Sequence, residues 1–146
     1  MKLVITRVLS ASVEVEGKKV SQILGGLLVL VGFEKEDTIQ TLEMAADKLV
    51  HGRFFENDEG KPHYSALELK KPLLLVSQFT LCADLKTGGR RPDFTKAMNA
   101  GQAKGQFEAF CQLIERSGLE VQCGVFGAYM KVESINDGPF TLLWSS

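Results

Sequence analysis

The first 33 residues alternate and then saturate. "KLVITRVL" and "ASVEVEGKKVSQI" interleave apolar and polar positions, most plainly at Val13, Glu14, Val15 and Glu16, the period of a half-exposed strand. Gly17-Lys18 predicts a hairpin turn inside the second segment. "GLLVLVGF" follows, and its residues 27–31 are apolar throughout, which predicts a strand buried on both faces. Asp37 then offers an N-cap to a helix whose Ile39, Leu42, Ala46, Leu49 and Val50 fall on one stripe, ending near Gly52. "NDEGKPHYS" reads as a polar loop, and "KPLLLVSQFTL" as a second apolar strand that turns polar at Ser77 and Gln78, as a strand running into a site does. Residues 84–102 hold a basic, Gly-rich loop, after which Phe107, Phe110, Cys111 and Ile114 mark a second amphipathic helix closed by Gly118. "LEVQCGVF" and "FTLLW" are expected to complete the fold as strands, with "GAYMKVES" a candidate third. Strands first, two interleaved helices and strands last give a mixed α/β domain over residues 1–146, without repeats or linkers.

Composition narrows the function classes. The chain has 146 residues, 45% of them hydrophobic and 24% charged, the make-up of a globular domain able to bury its own core. A formal net charge of −1 excludes a global commitment to nucleic acid, so any RNA contact must come from a local patch. Cys82, Cys111 and Cys123 form no CxxC pair and leave an odd one, which points to reduced, mostly buried thiols rather than a disulfide framework or zinc site. The N-terminal segment lacks the unbroken apolar run of a signal peptide, and no stretch reaches the roughly 18 apolar residues of a membrane span. A cytoplasmic protein without membrane contact is expected.

Familiar catalytic equipment is scarce. His51 and His63 lack metal-ligand spacing to each other or to cysteine, so no metal is expected. Ser77 has no GxSxG elbow and reads either as a nucleophile or as a hydrogen-bonding strand residue; Thr80 carries the same ambiguity. Cys82 has no neighbouring His to lower its pKa and reads as a structural thiol. Asp84, Asp93 and Asp137 pair only if the fold brings them together. "KTGGRRPDF" is the most suggestive polar stretch: Lys86, Arg90 and Arg91 surround two glycines that let amides approach a phosphate, although the same charges suit a solvated loop. "NDGPF" leaves two readings open. Asp-Gly before Pro139 suits a turn that ends where a strand begins, while Gly138-Pro139 also suits a cis peptide or an aimed pair of carbonyls.

"SQFTL" at 77–81, "GGRRPDF" at 88–94, "FGAYM" at 126–130 and "NDGPFT" at 136–141 together resemble the D-aminoacyl-tRNA deacylases, and the likeness runs across essentially the whole chain. The first and last motifs in this order are specific; the related animal-type deacylase carries a Pro-Gln-Ala version of the first. Tyr129 stands where a variable polar residue is expected and Cys82 where an aromatic is common. The resemblance implies a barrel-like β core with two main helices in three layers. It implies hydrolysis of the ester of D-aminoacyl-tRNA, and of glycyl-tRNA mischarged on tRNA-Ala, without a cofactor. It further implies that Gly138-Pro139 is cis and that its carbonyls enter the partner subunit's site in a homodimer, excluding L side chains. Arg7 would prop that loop and Met130 would line the pocket. Ser77, Gln78, Phe79 and Thr80 would form the reaction centre, with main-chain N–H groups near Phe79 and Thr80 stabilising the oxyanion and the tRNA 2′-hydroxyl assisting. Lys86, Arg90 and Arg91 are the candidate phosphate contacts, and DNA is not an expected partner. Two other readings are a same-fold enzyme with a trans Gly-Pro bond that edits small L-residues, and a noncatalytic tRNA-binding or dimerisation module.

Overall fold

The computed structural model describes residues 1–86 and 90–146. Two long antiparallel strands, β1 (Lys2–Val15) and β2 (Lys18–Gly32), open the chain around a turn at Glu16 and Gly17, so the three expected opening segments fuse into one hairpin. Helix α1 (Ile39–His51), the small hairpin β3 (Arg53–Glu56) and β4 (Pro62–Ser65), and strand β5 (Leu73–Ser77) follow. A one-turn 3-10 segment, Phe79–Cys82, then leads through the basic loop to α2 (Ala100–Glu115), β6 (Val121–Cys123) and β7 (Lys131–Ser145). The five-stranded sheet has the order β6-β5-β2-β1-β7, parallel from β2 to β6 and antiparallel from β2 to β7. β3 and β4 form a separate two-stranded sheet, so part of "NDEGKPHYS" is strand rather than loop.

Both parallel crossovers, β2-α1-β5 and β5-α2-β6, step the same way along the sheet, and a common hand therefore puts both helices on one face. There Leu27, Val29, Val31, Leu73 and Leu75 pack with Leu42, Leu49, Phe107, Phe110 and Ile114 in the larger buried cluster. The opposite face holds a smaller one: Val8, Ala11, Val13 and Ile23 from the hairpin join Leu28, Leu74 and Val76, so the sheet curls back over itself. Burial on both faces is why residues 27–31 and 73–76 carry no polar side chain. The N-cap of α1 is Thr38, whose amide donates to Thr41 Oγ1 at 3.3 Å. Asp37 instead accepts the Glu34 amide at 2.7 Å, closing the turn before the helix. No described helix is long and apolar enough to cross a membrane.

Candidate active site

Strand β5 stops at Ser77 because the chain bends there. The Gln78 amide still donates to Val31 O at 2.7 Å, but Phe79–Cys82 winds into the 3-10 turn rather than extending the strand. Gly32 makes room: a Cβ at that position would stand 2.9 Å from Gln78 O and 3.1 Å from Cys82 Sγ. Cys82 anchors the turn from below, its thiol donating to Phe33 O at 3.4 Å, and burial pushes that thiol up to about 11. Within the turn, Gln78 Nε2 donates to Thr80 Oγ1. Among the described residues no acceptor takes the amides of Phe79 or Thr80, the first two of the turn, where a helical segment lacks internal partners.

Beside this turn lies a cavity of about 620 Å³. Val31, Val76, Ser77, Gln78 and Phe79 form one wall, Met98 with Ala100 and Ala103 of the first turn of α2 a second, and residues 126–130 with Val132 a third. Among the described residues, no Asp, Glu, His, Lys, Arg or Cys lines it. The cavity brings together Ser77, Gln78, Phe79 and Met130, with Thr80 outside its lining. Phe79 is 58% exposed and its ring sits 5.1 Å from Phe94, so the segment following the basic loop reaches the cavity rim. That loop is closed at its base by paired main-chain bonds between Asp84 and Asp93, of 2.8 and 3.0 Å. Lys86, Arg90 and Arg91 on it are exposed, while Gly88 and Gly89, expected to shape it, lie outside the described residues. His51 bonds Asp47 at 2.8 Å on the surface of α1 and His63 lies edge-on to Tyr64, both apart from the cavity. Cys111 and Cys123 are free thiols facing each other at 3.0 Å.

"NDGPFT" lies elsewhere in the same chain, and every residue of it has a place. β1 and β7 pair Thr6 with Thr141 and Val8 with Asn136, so the four residues 137–140 stand opposite the single Arg7. This is no hairpin turn, because β7 keeps its direction on both sides. The expected strands "GAYMKVES" and "FTLLW" are in fact joined into one 15-residue element by a bulge. Asn136 closes the bulge: its Oδ1 accepts the Phe140 amide at 2.9 Å and its Nδ2 donates to Thr141 Oγ1 at 3.0 Å. The Gly138-Pro139 peptide is cis, and Gly138 has φ +136°, where a Cβ would meet Phe140 N at 3.0 Å and Arg7 Nη2 at 3.2 Å.

Arg7 holds the bulge from within. It is 5% exposed, its Nε donates to Asp137 O at 3.1 Å, and its guanidinium lies 4.8 Å over the Phe140 ring. Gly138 and Pro139 are exposed and do not line the cavity of their own chain.

Residues 4–145 match the family described as D-Tyr-tRNA(Tyr) deacylase. The chain belongs to the D-Tyr-tRNA(Tyr) deacylase family. D-aminoacyl-tRNA deacylases of Clostridium botulinum (strain Eklund 17B / Type B) and Myxococcus xanthus (strain DK1622) are 43% and 47% identical to it over all 146 residues, covering 97% and 95% of those relatives. Among solved structures, the c-Myc DNA Unwinding Element Binding Protein superposes with a TM-score of 0.91 at 40% identity, covering 100% of this chain and 99% of that one. A structure described as "Structural Analysis of a probable eukaryotic D-amino acid tRNA deacylase" shares the fold, with a TM-score of 0.85 at 19% identity over 98% of this chain and 97% of that one. The mixed α/β fold expected from the motifs is that of the D-Tyr-tRNA(Tyr) deacylase family. So is the class of activity: these are hydrolases of the aminoacyl-tRNA ester bond. Sequence reasoning missed Glu56 and Phe54, which also bind Arg7. Only the pairing of a buried cation with a distant acid could have revealed them, and spacing along the chain does not report it.

Proposed function

We propose that the cavity receives the aminoacylated terminal adenosine of a D-aminoacyl-tRNA and that water cleaves its ester. The observation that carries this reading is the combination of unpartnered amides at Phe79 and Thr80 with a wall free of charged side chains. Water adds to the ester carbonyl, and those two amides receive the oxyanion. Collapse of the tetrahedral adduct breaks the bond to the ribose oxygen, releasing the D-amino acid and tRNA. The ester is already activated, and with no carboxylate, imidazole or amine among the described lining residues the neighbouring 2′-hydroxyl of the ribose assists the proton transfer. Ser77 and Gln78 orient the ester or adenosine, Thr80 positions Gln78, Phe79 packs beneath the substrate, and Met130 lines the pocket. Lys86, Arg90 and Arg91 contact backbone phosphates, which positions RNA without reading its sequence.

Selection comes from a second subunit. The Gly138-Pro139 loop is exposed on an edge strand, whose Val132, Ile135, Leu142 and Leu143 are also exposed, and a long apolar edge invites pairing. In an isologous homodimer each loop enters the other subunit's cavity and its main chain excludes an L side chain. Glycine escapes that exclusion, so glycyl-tRNA, including glycine mischarged on tRNA-Ala, is a second substrate. The protein works in the cytoplasm, where charged tRNA is found.

The test is hydrolysis of matched D-tyrosyl-, L-tyrosyl- and glycyl-tRNA by the purified protein, with sedimentation to establish the dimer. Cleavage of the D-ester and glycyl ester with the L-ester spared is the expected result. A folded dimer that cleaves none of them overturns the reading and leaves an RNA-binding module, recognised by strongly salt-dependent binding without turnover.

A further inference from the structure

We propose that Glu56 is a positioning residue for substrate selection, acting on the Gly138-Pro139 loop through Arg7. The inference rests on the reading of that loop as the selecting element and adds what aims it. The Arg7 guanidinium is held along two edges by two different elements. Toward β7, Nε is the one nitrogen that hydrogen-bonds the loop, donating to Asp137 O at 3.1 Å and lying 3.2 Å from Asp137 Oδ2, while the guanidinium face lies 4.8 Å over the Phe140 ring. The other edge belongs to β3: Nη1 donates to Phe54 O at 3.1 Å, and Nη2 to Glu56 Oε1 at 2.7 Å.

The Phe140 ring constrains the guanidinium plane but not its rotation or slide within that plane, whereas hydrogen bonds at all three nitrogens fix both. Nη2 is the decisive atom. It is held by Glu56, and it is also the Arg7 atom that would stand 3.2 Å from a Cβ on Gly138. Any swing of Nη2 therefore moves the surface against which Gly138 rests. The Glu56 side chain is 43% exposed against 6% for Arg7, so the carboxylate is not core filling; it is a partly solvated handle on a buried cation. The small β3-β4 sheet makes no ladder with the main sheet, and through Glu56 and Phe54 it buttresses the loop on the far edge strand.

The test compares hydrolysis of D-tyrosyl- and L-tyrosyl-tRNA by Arg7→Ala, Glu56→Ala, Glu56→Gln and the Arg7→Ala/Glu56→Ala double variant, with thermal unfolding as the check on folding. Glu56→Ala is expected to lower the D/L rate ratio roughly tenfold, since small misplacements of selecting groups carry costs of this order. Glu56→Gln, whose amide oxygen still accepts from Nη2, is expected to recover most of the ratio. The double variant is expected to be no worse than Arg7→Ala, the signature of one residue acting through the other. Where Glu56→Ala unfolds, Glu56→Asp replaces it: the chain is one methylene too short to reach Nη2, so the ratio is expected to fall. An unchanged ratio in Glu56→Ala alongside a lost one in Arg7→Ala overturns the inference and spares the loop reading, as do losses that multiply in the double variant. A ratio that Arg7→Ala leaves intact overturns the loop reading, and this inference with it.

Discussion

The cavity beside Ser77 and the bulge at residues 137–140 are built from opposite materials. The described cavity wall is mostly apolar, with Ser77, Gln78 and Tyr129 as uncharged polar side chains and no formal charge, whereas the bulge is organised around a buried arginine and two carboxylates. On the reading proposed above, the difference separates two tasks. Fixed amides in an uncharged wall suit a reaction whose charge appears only in passing, since a resident charge would be costly to desolvate. A selecting surface must instead stay where it is while ligands come and go, and multidentate charged hydrogen bonds give that rigidity.

Deleting one amide is the sharpest way to break this contrast. Phe79→Pro removes an N–H at the first position of a helical turn, where proline is tolerated, and Phe79→Ala controls for the lost ring. Loss of an oxyanion donor predicts that kcat falls about 10²–10³-fold in the proline variant relative to the alanine one, measured in single-turnover hydrolysis. An equal kcat in the two variants would remove the amide from the mechanism. On the loop side, Gly138→Ala forces a Cβ into the left-handed region beside Phe140 N and Arg7 Nη2. We expect the D/L rate ratio to fall tenfold or more, with about 1–3 kcal/mol of stability lost, read by competing the two esters and by urea unfolding. Side chains within the cavity matter less: Ser77→Ala and Thr80→Val are each predicted to cost under about tenfold in kcat. A loss of roughly 10²–10⁴ would mark a general acid or base and end the main-chain account.

The smallest effect concerns the buried thiol of the 3-10 turn. Burial, with the Glu34 charge adding to it, raises the Cys82 thiol from its ordinary value of 9.0 to about 11. The unfolded chain therefore releases this proton first as the pH rises. Between pH 9 and 11 the folded state binds the extra proton, so stability is fully present below pH 9 and declines through pH 11, by about 2–3 kcal/mol at most. The difference in unfolding free energy between the parent and Cys82→Ala should narrow over that window. A constant difference would mean that the thiol is not insulated from solvent.

Pattern reading recovers what local forces decide. Residues 27–31 and 73–76 are apolar because clusters cover both faces of their strands, and that requirement is visible in any short window. The stripes of α1 and α2 are legible for the same reason, except that Ile39 at the head of α1 is exposed rather than buried. It failed where two local solutions were close. Asp37 and Thr38 are both good caps, and Asp37 lost because its carboxylate closes the preceding turn. "QFTL" has strand-forming residues, but Gly32 lets the turn cross β2 closely. Most of all it failed where partners are remote: Arg7 meets Phe54, Glu56 and Asp137 at separations of 47, 49 and 130 residues. The shared motifs located the loop because they carry the outcome of that folding, whereas "NDGPF" by itself also fits a turn.

The pairing of β1 with β7 also sets a schedule for biosynthesis. A ribosome adding roughly 5–20 residues per second needs on the order of ten seconds to travel from Arg7 to Asp137. Throughout that interval the guanidinium lacks its final ligand, β1 presents an open edge, and the nascent chain holds a buried arginine half satisfied. The proposed selecting loop thus takes its shape only once β7 emerges, after both helices and the cavity wall at Ser77.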